Sequence, residues 1–129
     1  MRLLAWITWL GAATATHILL QSDVKMPPRM QQTVRDVFRP ATRLAPHVMT
    51  PLQVIARDLH GTHVVTTRLF TEDGFYTSAI GRGPVFKYAC MQSCARALES
   101  VRHRDALTEG LSIRLPLKHC TVLDDDDHP

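Results

Sequence analysis

At 129 residues the chain has room for one ordinary domain with short extensions. It carries 15 Lys+Arg against 12 Asp+Glu, a net charge of +3; four of the acids form a run at 124–127, and without that run the balance is 15 against 8. A basic body with an acidic tail suits a polyanion partner. Three cysteines, an odd and small number, argue against a secreted disulfide framework.

Residues 1–25 read as an apolar leader. Positions 3–20 are mostly apolar, interrupted by Thr8, Thr14, Thr16 and His17. As a helix rising about 1.5 Å per residue, this stretch just reaches across a bilayer core of about 30 Å. Three readings stay open at this point. A secretory signal would use 3–13 as its apolar core and Ala13-Thr14-Ala15 as its cleavage site. A mitochondrial targeting segment would normally hold more arginine and serine. The third is an uncleaved helix, in a membrane or buried in a large assembly. Trp6 and Trp9 are three apart and share one helical face.

A domain is expected over 26–105. Pro27 and Pro28 sit where a helix can begin, because the first turn has no use for their missing N–H. Met30, Val34, Val37 and Phe38 recur at helical spacing, and Arg35 and Arg39 lie one turn apart on another face. Pro40 is expected to stop this helix. After a connector holding Pro46 and Pro51, residues 52–59 are short, apolar and partly β-branched. Gly61 marks a turn. Val64, Val65, Thr66 and Thr67 are four β-branched residues in a row, which favours a second strand running to Phe70. Thr71-Glu72-Asp73-Gly74 makes a tight turn, with Gly74 free to take positive φ, and residues 75–81 form a third strand. Short turns of this kind imply an antiparallel meander.

A second helix opens within "GRGPVFKYACMQSCARALESV". Phe86, Ala89, Cys90, Ser93, Cys94, Ala97, Leu98 and Val101 fall on one stripe of mostly small side chains. Residues 104–109 are expected to loosen it and Gly110 to end it. The order helix, three strands, helix predicts an α+β two-layer domain, α-β-β-β-α, with both helices on one sheet face. A C-terminal arm, 106–129, follows. Ile113, Leu115 and Leu117 alternate as an edge strand or extended arm would, with Pro116 keeping them off a central position, and 121–129 reads as a tail.

No catalytic constellation emerges. Cys90-x-x-x-Cys94, with His103, His119 and Cys120 elsewhere, lacks the paired short spacings of structural zinc sites and matches the apolar stripe instead. Ser78, Ser93 and Cys94 have no activating base in their sequence context, and Gly81-Arg82-Gly83 is too short for a phosphate loop. The chain reads as non-enzymatic, with no cofactor and no metal.

Residues 79–98 resemble the double-stranded-RNA-binding domain, whose third strand and second helix follow G-x-G-x-G-x-S-K-K-x-A-K-x-x-A-A-x-x-A-L. Ala79, Gly81 and Gly83 occupy the glycine positions, Lys87 matches the second lysine, and Ala89, Ala97 and Leu98 match the helix core. Gly61-Thr62-His63 resembles the family's G-P-x-H loop, one residue short. The resemblance spans roughly 28–103. It implies RNA contacts from the first helix (Gln31, Gln32, Arg35, Arg39), from the loop histidine His63, and from Arg82 and Lys87 at the second helix. Phe86 and Cys90 stand where two of the family's three clamping lysines belong, which weakens any grip on duplex RNA.

The resulting expectation is a non-catalytic, RNA-contacting structural component of a large ribonucleoprotein, with a mitochondrial ribosome as host and a multi-protein assembly as partner. The rival is a membrane-anchored accessory subunit of a mitochondrial respiratory-chain complex, held through residues 3–20.

Overall fold

Leu19 and its neighbours settle into a sheet rather than a helix. In the computed structural model, which describes residues 17–44, 48–107 and 117–123, the segment Ile18–Ser22 is strand β1. Ile18, Leu20 and Ser22 are almost wholly buried while Leu19 and Gln21 are half-buried, the two-residue alternation of a strand. The expected apolar helix through Leu20 is therefore corrected. A continuous apolar run has no period of its own; pairing with two neighbouring strands decides it here. The rest of that leader, with its signal, targeting and membrane readings, lies outside the described residues. Among the described residues no helix is long and apolar enough to cross a membrane.

The remaining elements are helix α1 (Pro28–Leu44), strands β2 (Val48–Leu59), β3 (Thr62–Thr71) and β4 (Tyr76–Gly83), helix α2 (Phe86–His103) and strand β5 (His119–Leu123). The five strands form one mixed sheet in the order β4-β3-β2-β1-β5. β1 runs parallel to β2, with α1 as the crossover between them. β2, β3 and β4 form the expected antiparallel meander, and β5 returns antiparallel to β1. The fold class is α+β.

Register explains where the core sits. Thr121, Leu20, Val54, Thr67 and Ala79 form one row across all five strands. His119, Ser22, Ala56, Val65 and Gly81 form the next. Both helices cover this face: Phe38 and Ala41 of α1 meet Cys94 and Leu98 of α2 over Leu52, Thr67 and Leu69, leaving a void of only about 10 Å³. Val34 and Phe38 are fully buried, which is what the spacing of the first helix requires.

α1 does not stop at Pro40. It continues to Leu44, with Pro40 inside it and exposed. The proline removes one helical hydrogen bond, but its ring lies on the solvent side, where such a defect is tolerated as a bend. Burial of Ala41 beyond it holds the last turn to the core. α2 ends earlier than expected. Arg104 takes a left-handed conformation (φ 58°), and its N–H returns to the carbonyls of Ser100 and Val101. Arg104 also pairs with Asp73 and lies 4.8 Å over the Phe75 ring, tying the helix end to the β3–β4 turn. At that turn Gly74 has φ 91°, as its sequence predicts. The Thr71 hydroxyl, then the Phe75 N–H and Arg104, hold the Asp73 carboxyl below the ordinary range. Strand β5 occupies 119–123, and Leu123, taken from sequence as tail, is buried; the alternation expected at Ile113 and Leu115, and the stop expected at Gly110, lie outside the described residues.

Candidate functional site

The β2–β3 hairpin turns on two residues, His60 (φ 55°) and Gly61 (φ 87°), between the paired Leu59 and Thr62. Two successive positive φ values suit the right-handed twist of the strands they join. Asp58 Oδ1 accepts the Gly61 N–H at 3.0 Å and locks the turn. So tight a turn leaves no protruding loop. His63 stands inside β3, opposite Asp58 and Gly83. Its ring meets Phe86 edge-on, centroids 5.5 Å apart and planes at 69°.

The start of α2 is set by Gly81. A Cβ there would lie 2.1 Å from the Ala89 carbonyl oxygen and 2.5 Å from the Ser93 nitrogen. Only glycine lets the helix backbone approach β4 this closely. Ser93 exploits the approach: its hydroxyl donates to the Ala79 carbonyl at 2.9 Å and shares a hydrogen bond with Thr67 at 2.7 Å. Cys90 and Cys94 are core residues on the same stripe. Burial pushes the Cys90 thiol up to about 12, with Cys94 adding to it, and the Cys94 thiol up to about 11. Val85 precedes α2 without a side-chain cap, and neither helix has an acid in its first turn. Among the described residues, the first turn of neither helix offers a carboxylate to its positive dipole end.

These starts converge. A cleft of about 230 Å³ is lined by Asp23, Lys25, Met26 and Met30 around the start of α1, by Asp58 and His63 of the hairpin, and by Phe86 at the start of α2. Met26, Met30 and Phe86 give it apolar walls. Asp23 Oδ1 is buried and has no hydrogen-bond partner among the described residues, so it offers a bare acceptor to an incoming donor. Lys25, Arg29 and Lys87 are exposed at or beside the cleft in sequence.

The residues singled out from sequence divide accordingly. His63 lines the cleft, though from a strand rather than a loop; Lys87 follows its wall residue Phe86. Gln31 is committed to its own helix start, its Nε2 donating to the Met26 carbonyl at 3.0 Å. Gln32 donates to Asp36 at 2.9 Å and accepts from Arg35 at 3.3 Å, a chain running along α1. Neither Gln32, Arg35 nor Arg39 lines the cleft. Arg82 pairs with Val64, in register with Arg57, and so belongs to the sheet face opposite the helices. Phe86 and Cys90, at two lysine positions of the resemblance, are buried. Asp23, Lys25 and Met26 were missed because they sit at the junction assigned to the leader. Their signal is an acid and a base beside two prolines that start a helix. No family model and no curated protein matches this chain.

Proposed function

We propose that this chain is a non-catalytic, RNA-contacting structural component of a large ribonucleoprotein. The observation that carries the reading is convergence. Of the residues to which the resemblance assigns RNA contacts, His63 lines a cleft that the start of α1 and Phe86 at the start of α2 also line, and Lys87 directly follows Phe86. The α1-β2-β3-β4-α2 order, with both helices over one face of an antiparallel meander, supports the double-stranded-RNA-binding-domain reading; β1 and β5 are additions to it.

The chemistry is divided between wall and rim. Helix starts with no acid in their first turns, with Lys25, Arg29 and Lys87 beside them, suit phosphate. The Asp23 carboxylate does not; it suits a ribose 2′-hydroxyl or a base amino group, which donate. Apolar walls and the His63–Phe86 pair suit a stacked base or sugar face. Burial of Phe86 and Cys90 removes the clamp that would grip a duplex alone, so the contact belongs inside an assembly that supplies the remaining affinity. A mitochondrial ribosome remains the host favoured by the sequence.

The test is binding of the whole chain to duplex and single-stranded RNA across a salt series. Three phosphate contacts predict that affinity falls about 20- to 40-fold between 50 and 200 mM salt. Lys25→Glu combined with Lys87→Glu should abolish binding, whereas Arg82→Glu should not. RNA binding that ignores the cleft pair, or a purified assembly devoid of RNA, refutes the reading.

A further inference from the structure

The cleft at the starts of α1 and α2 is small. At about 230 Å³ it falls below the roughly 300–1,000 Å³ of sites for drug-sized ligands, which leaves room for one planar ring system and not for several stacked ones. All of its lining residues belong to the described segments. Its walls are apolar at Met26, Met30 and Phe86, and the Phe86 ring meets His63 edge-on at 5.5 Å. The two carboxylates on the lining differ. Asp58 Oδ1 is committed to the Gly61 N–H at 3.0 Å. Asp23 sits in a bend that the Ser22 hydroxyl fixes by donating to the Val24 carbonyl at 2.5 Å. Its Oδ1 is buried without a hydrogen-bond partner among the described residues. A buried acceptor left in that state is unfavourable until a donor reaches it.

The pattern of donors selects the occupant. A carboxylate presents two acceptor oxygens side by side and is matched by two donors side by side. Guanine offers that pair, its N1–H and its N2 amino group, with O6 as an acceptor next to them. Adenine and cytosine set their amino group beside a bare ring nitrogen, and uracil sets its N3–H between two carbonyls. In each of those three the carboxylate also meets an acceptor and is repelled. Lys25 and His63, on the same lining, carry N–H donors for O6. We propose that the cleft binds one unpaired guanine base, with its Watson–Crick edge on Asp23 and its ring against Phe86. The base must be unpaired, because pairing occupies that edge. The inference rests on the RNA reading of this cleft and adds to it the base that the cleft takes.

Fluorescence anisotropy of the full chain with labelled single-stranded pentaribonucleotides tests this. UUGUU should bind about tenfold or more tightly than UUAUU, UUCUU and UUUUU. Inosine at the centre, which lacks the N2 amino group, should lose about fivefold in affinity, and a central 2′-deoxyguanosine should keep the preference. Asp23→Asn, which replaces an acceptor oxygen by a donor, should level the sequences and leave the far-UV spectrum and the unfolding midpoint unchanged. Equal binding of all four sequences, weakened by Lys25→Glu, overturns the guanine inference and leaves the RNA reading standing. A guanine preference that survives in Asp23→Asn, or an inosine pentamer that binds as well as UUGUU, also overturns it. Absence of binding by every pentamer overturns it as well, and the longer RNAs of the salt series then judge the RNA reading separately.

Discussion

Replacing Gly81 by alanine is the sharpest probe of how α2 is seated. The new Cβ would lie 2.1 Å from the Ala89 carbonyl oxygen and 2.5 Å from the Ser93 nitrogen, where ordinary contact begins near 3.4 Å. Both obstacles are backbone, so no rotamer change relieves them. The helix must withdraw by about 1 Å, which matches the size of the shortfall. That movement stretches the Ser93–Ala79 bond of 2.9 Å and the Ser93–Thr67 bond of 2.7 Å past useful range. Overpacking costs about 1–3 kcal/mol, and two lost hydrogen bonds add about 1 kcal/mol each. The expected destabilisation is about 3–5 kcal/mol, a large part of the roughly 5–15 kcal/mol that stabilises a domain. Midpoints should fall by roughly 10–20 °C. The assay is urea and thermal unfolding followed by far-UV circular dichroism. Gly83→Ala is the control, because a Cβ there meets nothing within 4 Å. A loss under about 1 kcal/mol for Gly81→Ala, or an equal loss for Gly83→Ala, refutes the reasoning.

Other perturbations separate the structural assignments. Leu20→Ala empties a buried position of a central strand and should cost about 2–5 kcal/mol in chemical unfolding; a leader residue outside the fold would cost nothing. Pro40→Ala restores a helical N–H at an exposed site, and despite a looser unfolded chain should gain about 1–2 kcal/mol. If Pro40 ended the helix, the same change would leave stability flat. At pH 8 a thiol reagent should label exposed Cys120 quickly and Cys90 and Cys94 only after unfolding. Those two thiols, near 12 and 11 when folded and 9.0 as free groups, keep their protons longer in the native state. Stability is therefore full below pH 9 and declines toward pH 11, at up to about 2.7 kcal/mol per pH unit for two groups. Cys90→Ala with Cys94→Ala should flatten that alkaline limb in unfolding curves measured from pH 8 to 11.

Much of the domain was legible in the amino-acid order. A period of 3.6 placed α2, β-branched runs placed the strands of the meander, Gly61 and Gly74 placed its turns, and the small-residue stripe identified Cys90 and Cys94 as core. These are local properties, written in spacing and in the backbone freedom of glycine. What local spacing does not contain is the partner. Ile18–Ser22 became a strand because β2 and β5 flank it, and an apolar run reads alike in a strand buried on both faces and in a helix. Pro40 stayed inside α1 because Ala41 beyond it reaches the core. His63 and Phe86 met because the tight hairpin and the close seat of α2 on Gly81 brought them together. The sequence by itself determined which segments would be amphipathic and where the chain would turn; the tertiary structure alone decided which segment completed the sheet and which side chains shared a cleft, since those depend on contacts between residues far apart in the chain.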